Sequence, residues 1–189
     1  MPSNKVRARA HSWRRTGLAL VLGLVMMGNA NAQDANHPVI AGYGAIHPAQ
    51  DLANLPDPSL RYRVAFEITR AASDNGQVNP ALDRVARFIN LLGAAGVRPD
   101  PGDIVVVMHG PATPSILRDA AYETRFHQAN PNSGLIAKLQ QAGVAIHVCS
   151  FALANQRIER DEVAKDVTID LAAMVTLANL QLKGWALIL

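Results

Sequence analysis

The chain has a single cysteine, Cys149, among 189 residues, so no disulfide can form within it. The close-spaced ligand pairs that announce a zinc site, C-x-x-C or H-x-x-x-H, are missing, and neither a metal nor a cofactor is expected. The turn after the first apolar strand reads Thr69-Arg70-Ala71-Ala72-Ser73-Asp74-Asn75-Gly76, without the glycines that let a backbone cradle phosphate, which argues against nucleotide binding. A G-x-S-x-G elbow is also missing, and with it the usual mark of a serine hydrolase of the α/β type. No internal repeat or low-complexity tract interrupts the chain.

What is present begins with a basic segment holding Lys5, Arg7, Arg9, Arg14 and Arg15 and no acid. The apolar run Gly17 to Gly28 follows; its 12 residues would cover only ~18 Å as a helix, short of a ~30 Å hydrocarbon core. Ala30-Asn31-Ala32 then offers small side chains in the A-x-A pattern that a signal peptidase accepts. The order of these parts predicts an export signal over residues 1–32, cleaved after Ala32, and a periplasmic or secreted mature chain. The general secretory route fits better than the twin-arginine route, because Gly17-Leu18 is a poor sequel to Arg14-Arg15. Removing the signal takes away 5 of 18 basic residues and none of the 15 acidic ones, which leaves a net charge of about −2. The basic character of the whole chain therefore belongs to the signal, and no basic stripe remains to bind nucleic acid. No later stretch reaches the ~18 apolar residues of a membrane span, so no membrane association is expected after cleavage.

Residues 33–60 carry Pro38, Pro48, Pro56 and Pro58 with Gly42 and Gly44 and hold no period for long, which marks an arm. Its Val39, Ile40, Tyr43 and Ile46 suggest packing, on its own domain or on a neighbouring subunit, and the alternative is a disordered tether. Residues 61–189 read as one α/β domain. Strands are predicted over Tyr62–Ile68, Asp103–His109 and Val144–Cys149, a short one over Val167–Ile169, and a last one over Trp185–Leu189. Helices are predicted from Asn79-Pro80 to Gly93, over Thr113–Tyr122 and Ser133–Gln141, then over Ala152–Val163 and Leu171–Leu182. The run Ile104-Val105-Val106-Val107-Met108 is apolar on both faces, as a covered central strand should be. Alternating strands and helices imply right-handed crossovers and a three-layer α/β/α sandwich on a mainly parallel sheet.

Reactive groups in such sheets gather where strands end and loops begin. His109 ends the second strand before Gly110-Pro111, and Cys149 ends the third before Ser150-Phe151. If those strands are neighbours, imidazole and thiol face one cleft, and a histidine beside a cysteine favours the nucleophilic thiolate. A helix beginning near Ala152 would add N–H groups aimed back at the sulfur. Cys149 and His109 are therefore the candidate catalytic pair. The plainer reading makes Cys149 a buried small hydrophobe and His109 a loop-edge residue. His147 shares a face with Cys149 and is better read as a hydrogen-bonded core histidine.

The segment Gly143-Val144-Ala145-Ile146-His147-Val148-Cys149-Ser150-Phe151-Ala152 resembles the cysteine segment of the DsrE/DsrF/TusD superfamily. The likeness runs from about Tyr62 to Leu189, through Val107-Met108-His109-Gly110 and the closing Leu180 to Ala186. The arm, with Gly42-Tyr43-Gly44 and Pro56-Asp57-Pro58, resembles that of exported members. The resemblance implies a YchN-like fold that assembles into homo- or hetero-oligomers. It further implies that Cys149 carries sulfur as a persulfide between a donor and an acceptor protein; His109 owes its candidacy to strand-end position alone. The competing expectation is a non-enzymatic oligomeric module that binds a small ligand or a protein, with Cys149 as packing.

Overall fold

The computed structural model describes Met1 and residues 34–47 and 51–189. The export segment read over residues 1–32 lies, beyond Met1, outside them, as do Gln33 and Pro48-Ala49-Gln50 of the arm.

Five strands form the sheet: β1 Val64–Ile68, β2 Ile104–Met108, β3 Ala145–Cys149, β4 Thr168–Asp170 and β5 Ala186–Ile188. Their order is β4-β3-β2-β1-β5, and every neighbouring pair is parallel. β2 is central and buried at all five positions, as its two-faced apolar run requires. The helices are α1 Pro80–Ala94, α2 Asp119–Phe126, α3 Ser133–Gln141, α4 Ser150–Asn155 and α5 Ala173–Leu182. One sheet face, carrying Val64, Phe66, Ile68, Val106, Met108, Ile146 and Val148, packs on α1, α2 and α3 through Leu82, Val85, Tyr122, Leu135 and Leu139. Full burial of such a side chain contributes about 1.5–3 kcal/mol, so this layer holds most of the core energy. The opposite face carries Ala65, Val105, Val107 and Cys149 and meets α5 at Ala173 and Leu177. The result is the expected α/β/α sandwich with two unequal layers.

Local sequence explains most element ends. Asn79 caps α1 by accepting from the Ala81 amide at 2.9 Å, and Pro80 begins the helix. The chain leaves α3 through Gly143 at φ +86° and leaves α5 through Gly184 at φ +95°.

Two helices differ from expectation. The helix read over Thr113–Tyr122 is a 3-10 segment, Gly110–Ile116, then an extended Leu117, and only then α2. Pro111 and Pro114 supply no N–H to a helical ladder, and Leu117 is taken by an antiparallel bridge to Val163. The helix read over Ala152–Val163 starts earlier, at Ser150, and stops at Asn155. Arg157 turns left-handed at φ +53°, and the Ile158 amide bonds back to Leu153 O at 3.0 Å. Burial of Ile158 holds that turn, and a short 3-10 segment, Arg160–Glu162, follows.

Residues 34–47 of the arm pack on the domain itself. Ile40 and Ile46 are buried, and the fully buried Asn90 of α1 satisfies four arm groups. Its Oδ1 accepts from Val39 N at 2.9 Å and Ile40 N at 2.7 Å. Its Nδ2 donates to Tyr43 O and Gly44 O, both at 2.9 Å. Lys138 of α3 adds a bond to Ala41 O at 2.6 Å and sits over the Tyr43 ring. The arm is thus a strap across α1 and α3.

Candidate functional site

Alternation along β3 sends Ile146 and Val148 into the larger core and Ala145, His147 and Cys149 to the α5 face. Parallel register then sets the neighbours. Val148 pairs with Met108 on one side, and Cys149 pairs with Asp170 on the other. His109 follows Met108 in an extended conformation, φ −157°, and its amide donates to Ile68 O at 3.1 Å, so it prolongs β2 by one residue. One step beyond the Val148–Met108 pair, His109 and Cys149 therefore occupy adjacent strand ends on the same face. The strands are neighbours, as the strand-end argument requires.

His109 is oriented from β1. Its Nε2 lies 2.8 Å from Glu67 Oε1, with both side chains partly exposed. In the neutral ring a carboxylate at Nε2 favours the tautomer with the proton on that nitrogen, which leaves Nδ1 as the acceptor. The loop behind it is held by Gly110 O, which accepts from Thr113 Oγ1 and from Gln156 Nε2, each at 2.7 Å. Gln156 directly follows α4, which begins next to Cys149, so the loop after His109 and the helix after Cys149 are tied together.

Cys149 is 7% exposed and packs with Val107, Ala152, Ala173 and Leu177. It occupies the N-cap position of α4, but its side chain makes no hydrogen bond among the described residues. The helix start expected near Ala152 thus lies two residues closer to the sulfur. Ser150 Oγ donates to Leu171 O at 2.8 Å and ties α4 to the link between β4 and α5. Around this end of the sheet Phe151, Leu171, Met174 and Val175 stand exposed, an apolar surface beside the thiol.

His147 has its own partner. Its Nδ1 lies 2.8 Å from Asp170 Oδ2, which also accepts from Thr176 Oγ1 at 2.6 Å. This joins β3, β4 and α5 and agrees with a structural histidine. The structure therefore brings Cys149, His109 and His147 to one face but gives each histidine to a separate carboxylate. Glu67 and Asp170 escaped the sequence reading. The available signal was a lone acid in each of two short strands, VAFEI and TID. Among the described residues, no group of three His, Cys, Asp or Glu side chains could hold a metal ion, and no helix is long and apolar enough to cross a membrane.

Comparison with known proteins adds two findings. The sequence profile of the DsrE/DsrF-like family matches residues 52–189. Among solved structures, MTH1491 of Methanobacterium thermoautotrophicum, described as a protein of unknown function, superposes with a TM-score of 0.51 at 24% identity, over 67% of this chain and 97% of its own. At that identity the likeness bears on the fold. A search of curated proteins gives no match.

Proposed function

The chain belongs to the DsrE/DsrF-like family, and from that premise we propose that it handles sulfur outside the cytoplasm, with Cys149 as the carrier. Family membership supports a sulfur-relay role in general. The observation that favours this thiol is its place at the carboxyl end of β3, on the face and at the level of the carboxylate-oriented His109. In the proposed cycle the Cys149 thiolate attacks the outer sulfur of a sulfane donor. A new S–S bond forms at Sγ, the donor's S–S bond breaks, and the donor leaves as a thiolate or sulfite. An acceptor thiolate then attacks the terminal sulfur of the persulfide and returns Cys149 as thiolate. His109, with Nδ1 free to accept, takes the thiol proton before attack. The exposed Phe151, Leu171 and Met174 are the proposed seat of a partner, either a donor or acceptor protein or another copy in a homo-oligomer.

Intact mass tests this. The protein is incubated with thiosulfate or polysulfide, weighed, reduced and weighed again. A reductant-labile gain of about 32 Da on the wild type and none on Cys149→Ala is expected. No gain on the wild type rejects the carrier.

One observation favours a second reading. Cys149 is buried among apolar side chains, as a packing cysteine would be. In that case the protein is a non-enzymatic oligomeric module that binds a small ligand or a protein, and Cys149→Ala keeps both assembly and binding.

A further inference from the structure

The ladder between β2 and β3 ends at the Met108–Val148 pair, one residue short of both His109 and Cys149. Beyond it each chain turns to its other neighbour. The His109 amide bonds to Ile68 O of β1 at 3.1 Å, and Cys149 pairs with Asp170 of β4. His109 and Cys149 thus stand where the two chains part, and sheet pairing alone does not set the distance between them.

One side chain spans the gap. Gln156 Nε2 donates to Gly110 O at 2.7 Å, and among the described residues no other hydrogen bond joins the Gly110–Ile116 segment to α4 or its cap. Both ends of this bridge are rigid. Gly110 directly follows His109 and turns left-handed at φ +57°, which suits glycine, and its carbonyl also accepts from the buried Thr113 Oγ1 at 2.7 Å. Gln156 directly follows α4, the helix that begins at the residue after Cys149. Its amide bonds to Leu153 O at 3.1 Å, and its carbonyl accepts from Arg125 of α2 at 3.0 Å.

We infer that Gln156 is a positioning residue for sulfur uptake, holding the His109 end of β2 in place against the Cys149 end of β3. The inference rests on Cys149 and His109 being the working pair. Proton transfer needs the two groups within hydrogen-bond reach, and a misplacement of ~1 Å can cost ~100-fold in rate. Thr113 keeps its bond to Gly110 O when Gln156 is lost, so the expected loss is the smaller one of about tenfold.

Single-turnover uptake of polysulfide sulfur, followed by intact mass, is compared for wild type, Gln156→Ala and Gln156→Met from neutral to alkaline pH. Methionine keeps the length of the side chain and removes the donor. Both variants should be about tenfold slower than wild type at neutral pH, with unchanged thermal midpoints, since Gln156 is only half-buried. The gap should narrow to about twofold once the pH passes ~8.5, where an ordinary thiol ionises without a base. A structural defect would slow uptake equally at every pH. A constant gap therefore overturns the inference, as do wild-type rates in both variants. If the wild type takes up no sulfur, the carrier reading falls and the inference with it; if the wild type works and the variants match it, Gln156 alone is removed.

Discussion

Glu67 of β1 holds His109, the residue that follows β2, through an Oε1 to Nε2 contact of 2.8 Å. The pair joins two strand ends on the face that carries Cys149. If His109 takes the thiol proton, His109→Ala should slow sulfur uptake by about 100-fold, the lower end of general-base effects. Glu67 acts by positioning. Glu67→Gln keeps an oxygen that accepts from Nε2–H, so it should retain markedly more uptake than Glu67→Ala at equal thermal stability. Single-turnover uptake measured by quenched mass spectrometry separates the three. Equal rates in Glu67→Gln and Glu67→Ala would remove Glu67 from the mechanism.

His147 should behave differently, because its hydrogen bond to Asp170 is part of a joint with Thr176. His147→Gln is expected to lower unfolding free energy by about 1 kcal/mol and to leave the uptake rate close to wild type. Urea unfolding and the same uptake assay check both halves. A large rate loss without a stability loss would make His147 the functional histidine instead.

The strap of residues 34–47 is held by one buried amide. Asn90→Ala leaves the Val39 and Ile40 amides without their acceptor and should cost about 2–4 kcal/mol, with faster proteolysis in the arm. Gly44 gives an independent check. It adopts φ +61°, and a Cβ there would run into the backbone of Ala86 and Arg87, so Gly44→Ala should release the same segment. Unchanged proteolysis in both variants would contradict the strap.

The sequence was most readable where a period and its stop signal coincide. The Asn79-Pro80 start of α1, both ends of α3 and the two-faced run of β2 follow from local chemistry alone. It misled where a tertiary contact took over. Leu117 is extended because Val163 pairs with it across 46 positions, and α4 ends early because Ile158 folds back into the core. The site was half visible for a related reason. Cys149 and His109 announce themselves as strand-end residues, whereas Glu67 and Asp170 become partners only through the strand order β4-β3-β2-β1-β5. Consecutive strands commonly lie side by side, but the register that sets Glu67 against His109 and Asp170 against His147 is not written in a linear pattern.

The export reading rests on residues 1–32 and makes one sharp prediction. Protein recovered from the periplasm should begin at Gln33, and the five basic side chains of the leader should be gone from it. Intact mass and N-terminal sequencing of that fraction decide the point. A full-length chain found only in the cytoplasm would require a sulfur donor and acceptor there instead.

Tyr122 supplies a pH test of the larger core layer. Burial, aided by the negative charge of Asp74, raises its hydroxyl above the ordinary tyrosine value of 10.0. The hydroxyl also donates to Asn75 O at 2.7 Å, and its ring lies against Phe126. The unfolded chain loses this proton at the ordinary value, and the folded one only above it. The neutral tyrosine's contribution is therefore fully present below the ordinary value and is lost as pH rises through the higher folded one. Phenolate absorbance in wild type minus Tyr122→Phe should show a step on the alkaline side of the ordinary value. Tyr122→Phe should cost about 1 kcal/mol at neutral pH, through the lost bond to Asn75, and show a shallower fall in stability under alkali. A difference step at or below the ordinary value would mean that water reaches the hydroxyl and that α2 does not seal this end of the core.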